Sequence, residues 1–397
     1  MLKEAFARER RPGLLSYLAL VYVHTGRRAE ALSNLDEMKK MARTQYVSPY
    51  GFTIVYVALG DKDEAFAWLY ASPRTDPPTG DAIAGLELFD GWTDPRELPP
   101  PVTSIGWEDS SFISPDGTTL YFGYARFDFT ALSQGQLLVT GPMRPGHEGV
   151  GFDVYEARIG ATGWDVTRST VNSPGEVSEA AQAVDRAQKT MLFVRFEGAV
   201  GDIHASTKQP SGAWGAATKL PAPINTPCVE DNVHLTPDGA RMFFDSNRAD
   251  DTGTTCKAES DRDIWTATWN GSAWSAPTKL SGGPNATARR WQPFSSPSGD
   301  VVYWSGYDLP DCPSGSCIYK ASLGDGGTYG APVMVARAAP GDASKIGQAY
   351  AIGEVSMTED GRYMYFTYIK VAPPRDAGAP DAEAGPPVIQ GDVGLGV

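Results

Sequence analysis

The chain is poor in the residues that most often do chemistry. Its 397 residues include only four histidines, and these (His24, His147, His204 and His234) are scattered rather than clustered. There is no H-E-x-x-H metal helix, no G-x-S-x-G nucleophile elbow and no Walker A loop, which removes the commonest zinc, serine-hydrolase and P-loop mechanisms. GVGFDV at 149–154 is glycine-rich, but no dinucleotide-binding fold surrounds it. Positive charge is also short. With 34 Lys and Arg against 48 Asp and Glu the formal net charge is −14, which argues against a general nucleic-acid or anionic-membrane binder. No run reaches the ~20 apolar residues of a membrane span. No clear signal peptide is present: the apolar run LLSYLALVYV at 14–23 is not followed by an A-x-A-like cleavage site.

Cysteine is equally sparse, with Cys228, Cys256, Cys312 and Cys317 all in the second part of the chain. An even count confined to one region suits disulfides in an oxidising compartment. Cys312 and Cys317 flank a short loop that a bridge could close, but four cysteines allow three pairings and the sequence does not choose. Irregular spacing without a nearby histidine argues against zinc.

What is abundant is glycine (43) and proline (31), a composition that fits many short strands joined by tight turns. Two internal repeats organise the chain. In the slightly basic first 73 residues, VYVHTGRRAEALSNL at 21–35 aligns with VYVALGDKDEAFAWL at 55–69. Each unit reads as helix, turn, helix. Gly26 and Gly60 sit where the turn needs a positive φ, Ala31 and Ala65 where paired helices approach closely, and Ser48 with Pro49 opens a helix. A 34-residue helical period resembles the tetratricopeptide repeat. That resemblance implies a protein- or peptide-docking surface, with a structural spacer as the alternative.

SPRTDPPTG at 72–80 reads as a linker. Beyond it a turn and an aromatic strand recur: SPDGTTLYF at 114–122, TPDGARMFF at 236–244, SPSGDVVYW at 296–304, TEDGRYMYF at 358–366, and a degraded copy at 184–193. A D-φ-aromatic strand follows, as in FDVYEA at 152–157, GDIHAS at 201–206, RDIWTA at 262–267 and SCIYKA at 316–321. A W-x-x-P-x-x-L element completes the unit at 92–98, 214–220, 274–280 and 329–335, in places as a relic. Its tryptophans are expected to pack between blades. Four strands per unit, repeated, is the pattern of a β-propeller. Five aromatic strands predict five blades, with six as the alternative because residues 126–150 and 370–397 are not accounted for. The last copy lacks its third and fourth strands, and GLELFDGW at 85–92 running into WTDPREL is expected to supply them and lock the ring.

These units resemble the TolB-type, WD-like propeller repeat of bacterial envelope proteins over about residues 84–369. The resemblance implies a mainly β fold and protein or peptide partners at one face of the ring, with a glycan as a further ligand class. The organisation read here is therefore 1–73 helical repeats, 74–83 linker, 84–369 propeller, and 370–397 a Pro/Ala/Asp-rich tail with an edge strand at its end. Cysteine pairs and TolB-like blades point to the periplasm or cell surface. The missing signal peptide points to a cytoplasmic protein or a fragment.

The strand before each turn should line the channel. Aligned on the turn, it places Glu108, Glu179, Glu230 and Arg290 in one column, with Ile352 fifth. The next column holds Asp109, Ala180, Asp231, Trp291 and Gly353, and Glu354 falls one place later. An acidic mouth of this kind would suit a basic peptide, an amine or a hydrated metal ion. The structural alternative is a repeat-consensus carboxylate capping the adjoining loop. His234 lies on the same strand as Glu230 and is a ligand or base candidate. Asp245, Asp250, Asp251, Asp261 and Asp263 form a second acidic concentration that could offer oxygen ligands to Ca²⁺, without EF-hand spacing; no other cofactor is indicated. The reading is a non-catalytic binding propeller. Its rival is a propeller hydrolase or lyase that uses channel carboxylates.

Overall fold

The computed structural model describes residues 12–41, 49–62, 64–65, 77–104, 106–127, 137, 139, 141–160, 163–175, 177–198, 200–286, 289–339, 347–372 and 388–397. The helices and the propeller are separate compact units. The tail at 373–387 and the chain from residue 66 to 76, which includes the start of the linker, lie outside the described residues.

In the helical unit, α1 (Pro12–His24), α2 (Arg28–Met41) and α3 (Pro49–Leu59) bury Leu15, Leu18, Ala31, Leu35, Phe52 and Val55 against one another. The 34-residue repeat is visible in the hydrogen bonds. At the end of α1, Gly26 (φ 75°) donates to the Val23 carbonyl at 3.1 Å and Arg27 donates to Tyr22 at 2.7 Å. At the end of α3, Gly60 (φ 82°) donates to Val57 at 3.1 Å and Asp61 to Tyr56 at 3.0 Å. Both are the same left-handed helix stop, which glycine enters without steric penalty.

In the second unit, β1 (Leu86–Leu88) and β2 (Arg96–Glu97) come first in the chain. Five antiparallel sheets then account for the propeller. The first is β3 (Trp107–Ile113), β4 (Thr119–Ala125), β5 (Asp153–Ile159) and β6 (Trp164–Arg168). The second is β7 (Ser178–Val184), β8 (Thr190–Glu197), β9 (Val200–Thr207) and β10 (Thr218–Lys219). The third is β11 (Glu230–Leu235), β12 (Arg241–Ser246), β13 (Asp263–Thr268) and β14 (Thr278–Lys279). The fourth is β15 (Arg290–Ser295), β16 (Val301–Leu309), β17 (Cys312–Ser322) and β18 (Val333–Ala338). The fifth contains β19 (Ala349–Met357), β20 (Met364–Ala372) and β21 (Val388–Gly396). The inner strands β3, β7, β11, β15 and β19 touch in cyclic order, so five blades close the ring and the six-bladed alternative falls. The aromatic strands are the second strand of each blade and are almost wholly buried, as with Tyr121, Phe193, Phe243, Trp304 and Phe366.

Closure differs from the expected arrangement in one respect. WTDPREL does supply the outermost strand of the last blade, through β2. The third strand is β21 rather than residues 85–92, and β1 instead pairs with β18 as a fifth strand of the fourth blade. The physical reason is length. The nine-residue β20 pairs without a break with β21, from Met364 opposite Gly396 to Ala372 opposite Val388, whereas β1 offers three pairs. Gly394 also has to be glycine: a Cβ there would come within 2.4 Å of the Phe366 ring.

The cysteines form two disulfides, Cys228–Cys256 and Cys312–Cys317. Trp214 packs between blades as expected, donating from Nε1 to Glu156 Oε1 of the first blade at 2.9 Å.

Because β21 seals the ring, truncating its buried Leu395 (1% exposed) to alanine should lower stability by about 2–5 kcal/mol. This would be read as a fall in the urea midpoint at unchanged slope. The same truncation at the neighbouring exposed Val397 should stay within about 0.5 kcal/mol.

Candidate functional site

The first three blade junctions are built from the same parts. The loop that leaves one blade carries an asparagine that clasps the third strand of that blade. Asn225 accepts from Ile203 N–H at 2.8 Å and donates to the carbonyls of Ile203 (2.8 Å) and Leu220 (2.9 Å). Asn172 does the same to Val154 and Ser169, and Asn285 to Ile264 and Leu280. The next residue of the loop is gripped by the following blade. Glu230 accepts from Thr226 N–H (2.8 Å) and Oγ1 (2.7 Å), and Glu179 accepts from Ser173 N–H (3.0 Å).

This is where the structure places the column Glu108, Glu179 and Glu230. All three side chains are fully buried, and each faces an arginine: Glu108–Arg144 at 2.5 Å, Glu179–Arg195 at 2.9 Å and Glu230–Arg248 at 2.9 Å. Burial pushes the Glu230 carboxyl up, and the Arg248 guanidinium opposes that. In the fourth blade the polarity is reversed, with Arg290 pairing with Asp263. The column fastens blades to each other, and none of its members lines the axis.

The axis is lined two positions further along. Every inner strand carries a bulge at the same place: between Asp109 and Phe112, Ala180 and Ala183, Asp231 and His234, Trp291 and Phe294, and Gly353 and Ser356. The first bulged residue is left-handed in all five, with Ser110 at φ 53°, Ala181 at 51°, Asn232 at 50°, Gln292 at 57° and Glu354 at 51°. None is glycine. A non-glycine residue in this region costs about 1–3 kcal/mol, and such residues gather where function requires them. The bulges turn their side chains and those of the next residues onto one axial cavity of about 40 Å³. It is lined also by Ser111, Gln182, His234, Phe112 and Phe294. That volume holds about three water-sized groups.

Of the residues singled out from the sequence, Glu354 and His234 line this cavity. Asp109 stands beside Glu354, since Ser110 N–H donates to Glu354 Oε2 (2.5 Å) and to Asp109 Oδ1 (3.0 Å). Burial, and then the Asp109 carboxylate, raise the Glu354 carboxyl well above its usual range. Burial holds His234 neutral, lowering its pKa to about 3. Asp231 and Trp291 are brought together elsewhere on the rim: Arg262 pairs with Asp231 (2.8 Å) and Asp245 (2.9 Å) and lies 5.2 Å over the Trp291 ring.

The acidic residues weighed for Ca²⁺ are dispersed. Asp245 is held by Arg262, Asn232 and the Gln292 N–H. Asp263 pairs with Lys257, Lys279 and Arg290, and Asp261 with Lys257. Asp250 accepts from Thr252 and Gly253 within its own turn, and Asp251 is exposed. Among the described residues no three His, Cys, Asp or Glu side chains gather in a metal-binding group. Of the other histidines, His147 is paired with Asp153 at 2.9 Å and His204 with the Asp202 carbonyl. Ser110, Gln182, Asn232 and Gln292 were missed in the sequence, because the column has no shared side-chain type. Its only signal was its position one place beyond the acidic columns.

No family model and no curated protein matches the chain. Among solved structures it is similar to TolB from Acinetobacter baumannii, at 9% identity and a TM-score of 0.38 over 87% of this chain and 70% of that one. It is also similar to a thermostable family-43 glycoside hydrolase (13%, TM-score 0.41, 75% and 92%) and to the periplasmic gluconolactonase of Pseudomonas aeruginosa (12%, TM-score 0.34, 68% and 69%).

Replacing Glu230 by glutamine would leave Arg248 buried without a counter-charge and should lower stability by about 3 kcal/mol or more. Glu259→Gln, at an exposed carboxylate 3.7 Å from Arg262, should change it by less than about 1 kcal/mol. A second expectation concerns acid. Between pH 6.5 and about 3 the native His234 stays unprotonated while the unfolded histidine binds a proton, so stability should fall as pH falls through this window. Urea midpoints at neutral and mildly acidic pH should show a shallower fall in His234→Phe.

Proposed function

We propose that the propeller is a non-catalytic binding ring that seats a protein or peptide on the axial mouth. The observation that carries this reading is the five-fold set of strained bulges around a small polar cavity. A fold that needed only stability would place glycine or asparagine at these positions, and four of the five are neither. Strain kept at one place in every blade favours a site that has to present those side chains. The cavity is far smaller than the ~300 Å³ or more of an enclosed small-molecule site, so a ligand would rest its bulk on the rim and insert only a tip. A larger hollow of about 560 Å³ lies over residues 219–227. It offers no convergent chemistry: Asn225 and Thr226 serve the blade junction and Lys219 pairs with Asp202.

The helices supply a candidate second docking surface, with Tyr17 and Val21 exposed one turn apart on α1 and Val57 exposed on α3. Both disulfides favour an oxidising location, such as the periplasm or cell surface. One observation favours the rival reading, a hydrolase or lyase: the adjoining Asp109 and Glu354 carboxyls, with a raised pKa on Glu354, are the kind of pair that moves protons.

The two readings separate in one experiment. The intact chain and an Asn232→Ala/Glu354→Gln variant, both confirmed folded, are used to capture partners from an envelope extract. A partner whose affinity drops by about tenfold or more, roughly 1.4 kcal/mol, in the variant supports the binding ring. Capture that is equal with both, or absent with both, counts against it; turnover of a glycoside or lactone substrate that Glu354→Gln abolishes would establish the rival.

A further inference from the structure

The two copies of the helical repeat bury different sides of the same helix. Positions that face the interior of each hairpin are buried in both copies, as with Leu18 and Phe52, and Tyr22 and Tyr56. A second set follows at intervals of four, which places it along one side of the helix. In the second copy this set is Gly51, Val55 and Leu59, and all three are buried. A Cβ on Gly51 would lie 3.4 Å from both Met38 Cε of α2 and Ser16 Cβ of α1. Arg28 of α2 also donates from Nη1 to the Leu59 carbonyl at 2.9 Å. This side of the second copy therefore rests on the first. In the first copy the same positions are Tyr17, Val21 and Thr25, and all three are exposed, Tyr17 by 58% and Val21 by 43%. The opposite side shows the reverse. Val23 lies seven residues beyond Ser16, on the side of α1 that meets α3, and is half-buried against the helical core. Its equivalent, Val57, is 63% exposed.

We propose that the helical unit stacks head to tail on the helical unit of a second copy of this chain. The Tyr17, Val21 and Thr25 side of one copy meets the Val57 side of the other. This rests on the reading of the helices as a docking surface and names its occupant; it is independent of what the axial mouth seats. The occupant follows from continuity with a contact the fold already makes. Within one chain the second copy of the repeat seats Gly51 and Val55 on the first, and the same contact between chains covers both exposed sides at once. A repeat that faces water carries a polar outer side, whereas Tyr17, Val21 and Val57 leave apolar surface there. Tyr17 stands where the second copy has Gly51, so it adds contact area to the seat. The two surfaces differ, which makes the contact heterologous. Each pair then keeps one free surface of each kind, and association continues past two copies to a closed ring or an open chain.

The test is sedimentation velocity of the full chain over a rising concentration series, with the unsubstituted protein, Val21→Glu and Val57→Glu. Both valines are exposed, so both variants should keep the fold, checked by unchanged urea midpoints. The unsubstituted chain should grow past the dimer as concentration rises. Each variant alone should associate about tenfold or more weakly. Mixed in equal amounts, the two variants should form a one-to-one pair and go no further, because the intact Val57 side of the first still meets the intact Val21 side of the second. Monomers at every concentration would overturn the proposal, as would association that neither substitution weakens. Association that stops at two copies and is not restored by mixing would overturn it in favour of a two-fold contact between like surfaces. If the chain stays monomeric but captures a partner that Val21→Glu loses, self-stacking falls while the docking surface stands with another occupant. Capture that depends on Asn232 and Glu354 is read separately, so the binding ring stands or falls on its own.

Discussion

A buried ion pair near the start of four of the five inner strands is the constraint on which the rest of the propeller depends. Glu230 and Arg248 have no exposed side-chain surface, and the loop leading into Glu230 is tied backward by Asn225 and forward by Thr226. Such pairs add little net stability compared with well-packed apolar residues, but they tolerate only one geometry. With Glu108–Arg144 in the first blade, Glu179–Arg195 in the second and Arg290–Asp263 between the third and fourth, they hold inner strands to the loop or blade that precedes them. The bulges sit two residues along those strands, so the placement of Ser110, Ala181, Asn232 and Gln292 around the axis is tied to charges that do not line it.

Much of the fold was legible because its signals are local. The Asp-Gly turns and the alternating aromatic strands report backbone conformation and burial directly, and they located the second strand of every blade. The third strand of the last blade was not legible. VIQGDVGLG carries no aromatic residue, and its role depends on Phe366 needing a glycine opposite it, a contact between distant segments that periodicity does not record. The six-blade alternative rests on residues 126–150 and 370–397, which the repeat leaves unassigned and of which that strand is a part.

The site was legible in position and misread in chemistry. Three glutamates in register fit a channel mouth and a carboxylate that caps the adjoining loop equally well, and the loop N–H groups of Thr226 and Ser173 that Glu230 and Glu179 accept from bear out the second. The true axial column is inconspicuous because it is defined by φ rather than by residue type. Only Asn232 hints at a left-handed backbone. What the five positions share is a conformation, and what they differ in is the set of groups they present. A repeated backbone device thus carries non-repeated chemistry, which lets one ring architecture serve either a ligand or a reaction.

The pairing of β2 with β21 also has a bearing on synthesis. Residues 96–97 leave the ribosome early, and their partners, Gly394 and Leu395, emerge almost 300 residues later. Until then four blades can assemble while the fifth displays β20, a nine-residue strand with an open edge rich in Tyr365, Phe366 and Tyr368. An unpaired apolar edge of that length is a template for pairing with a neighbouring chain. The nascent protein is therefore exposed to mispairing until β21 has been made, and a holding chaperone would have to cover that edge.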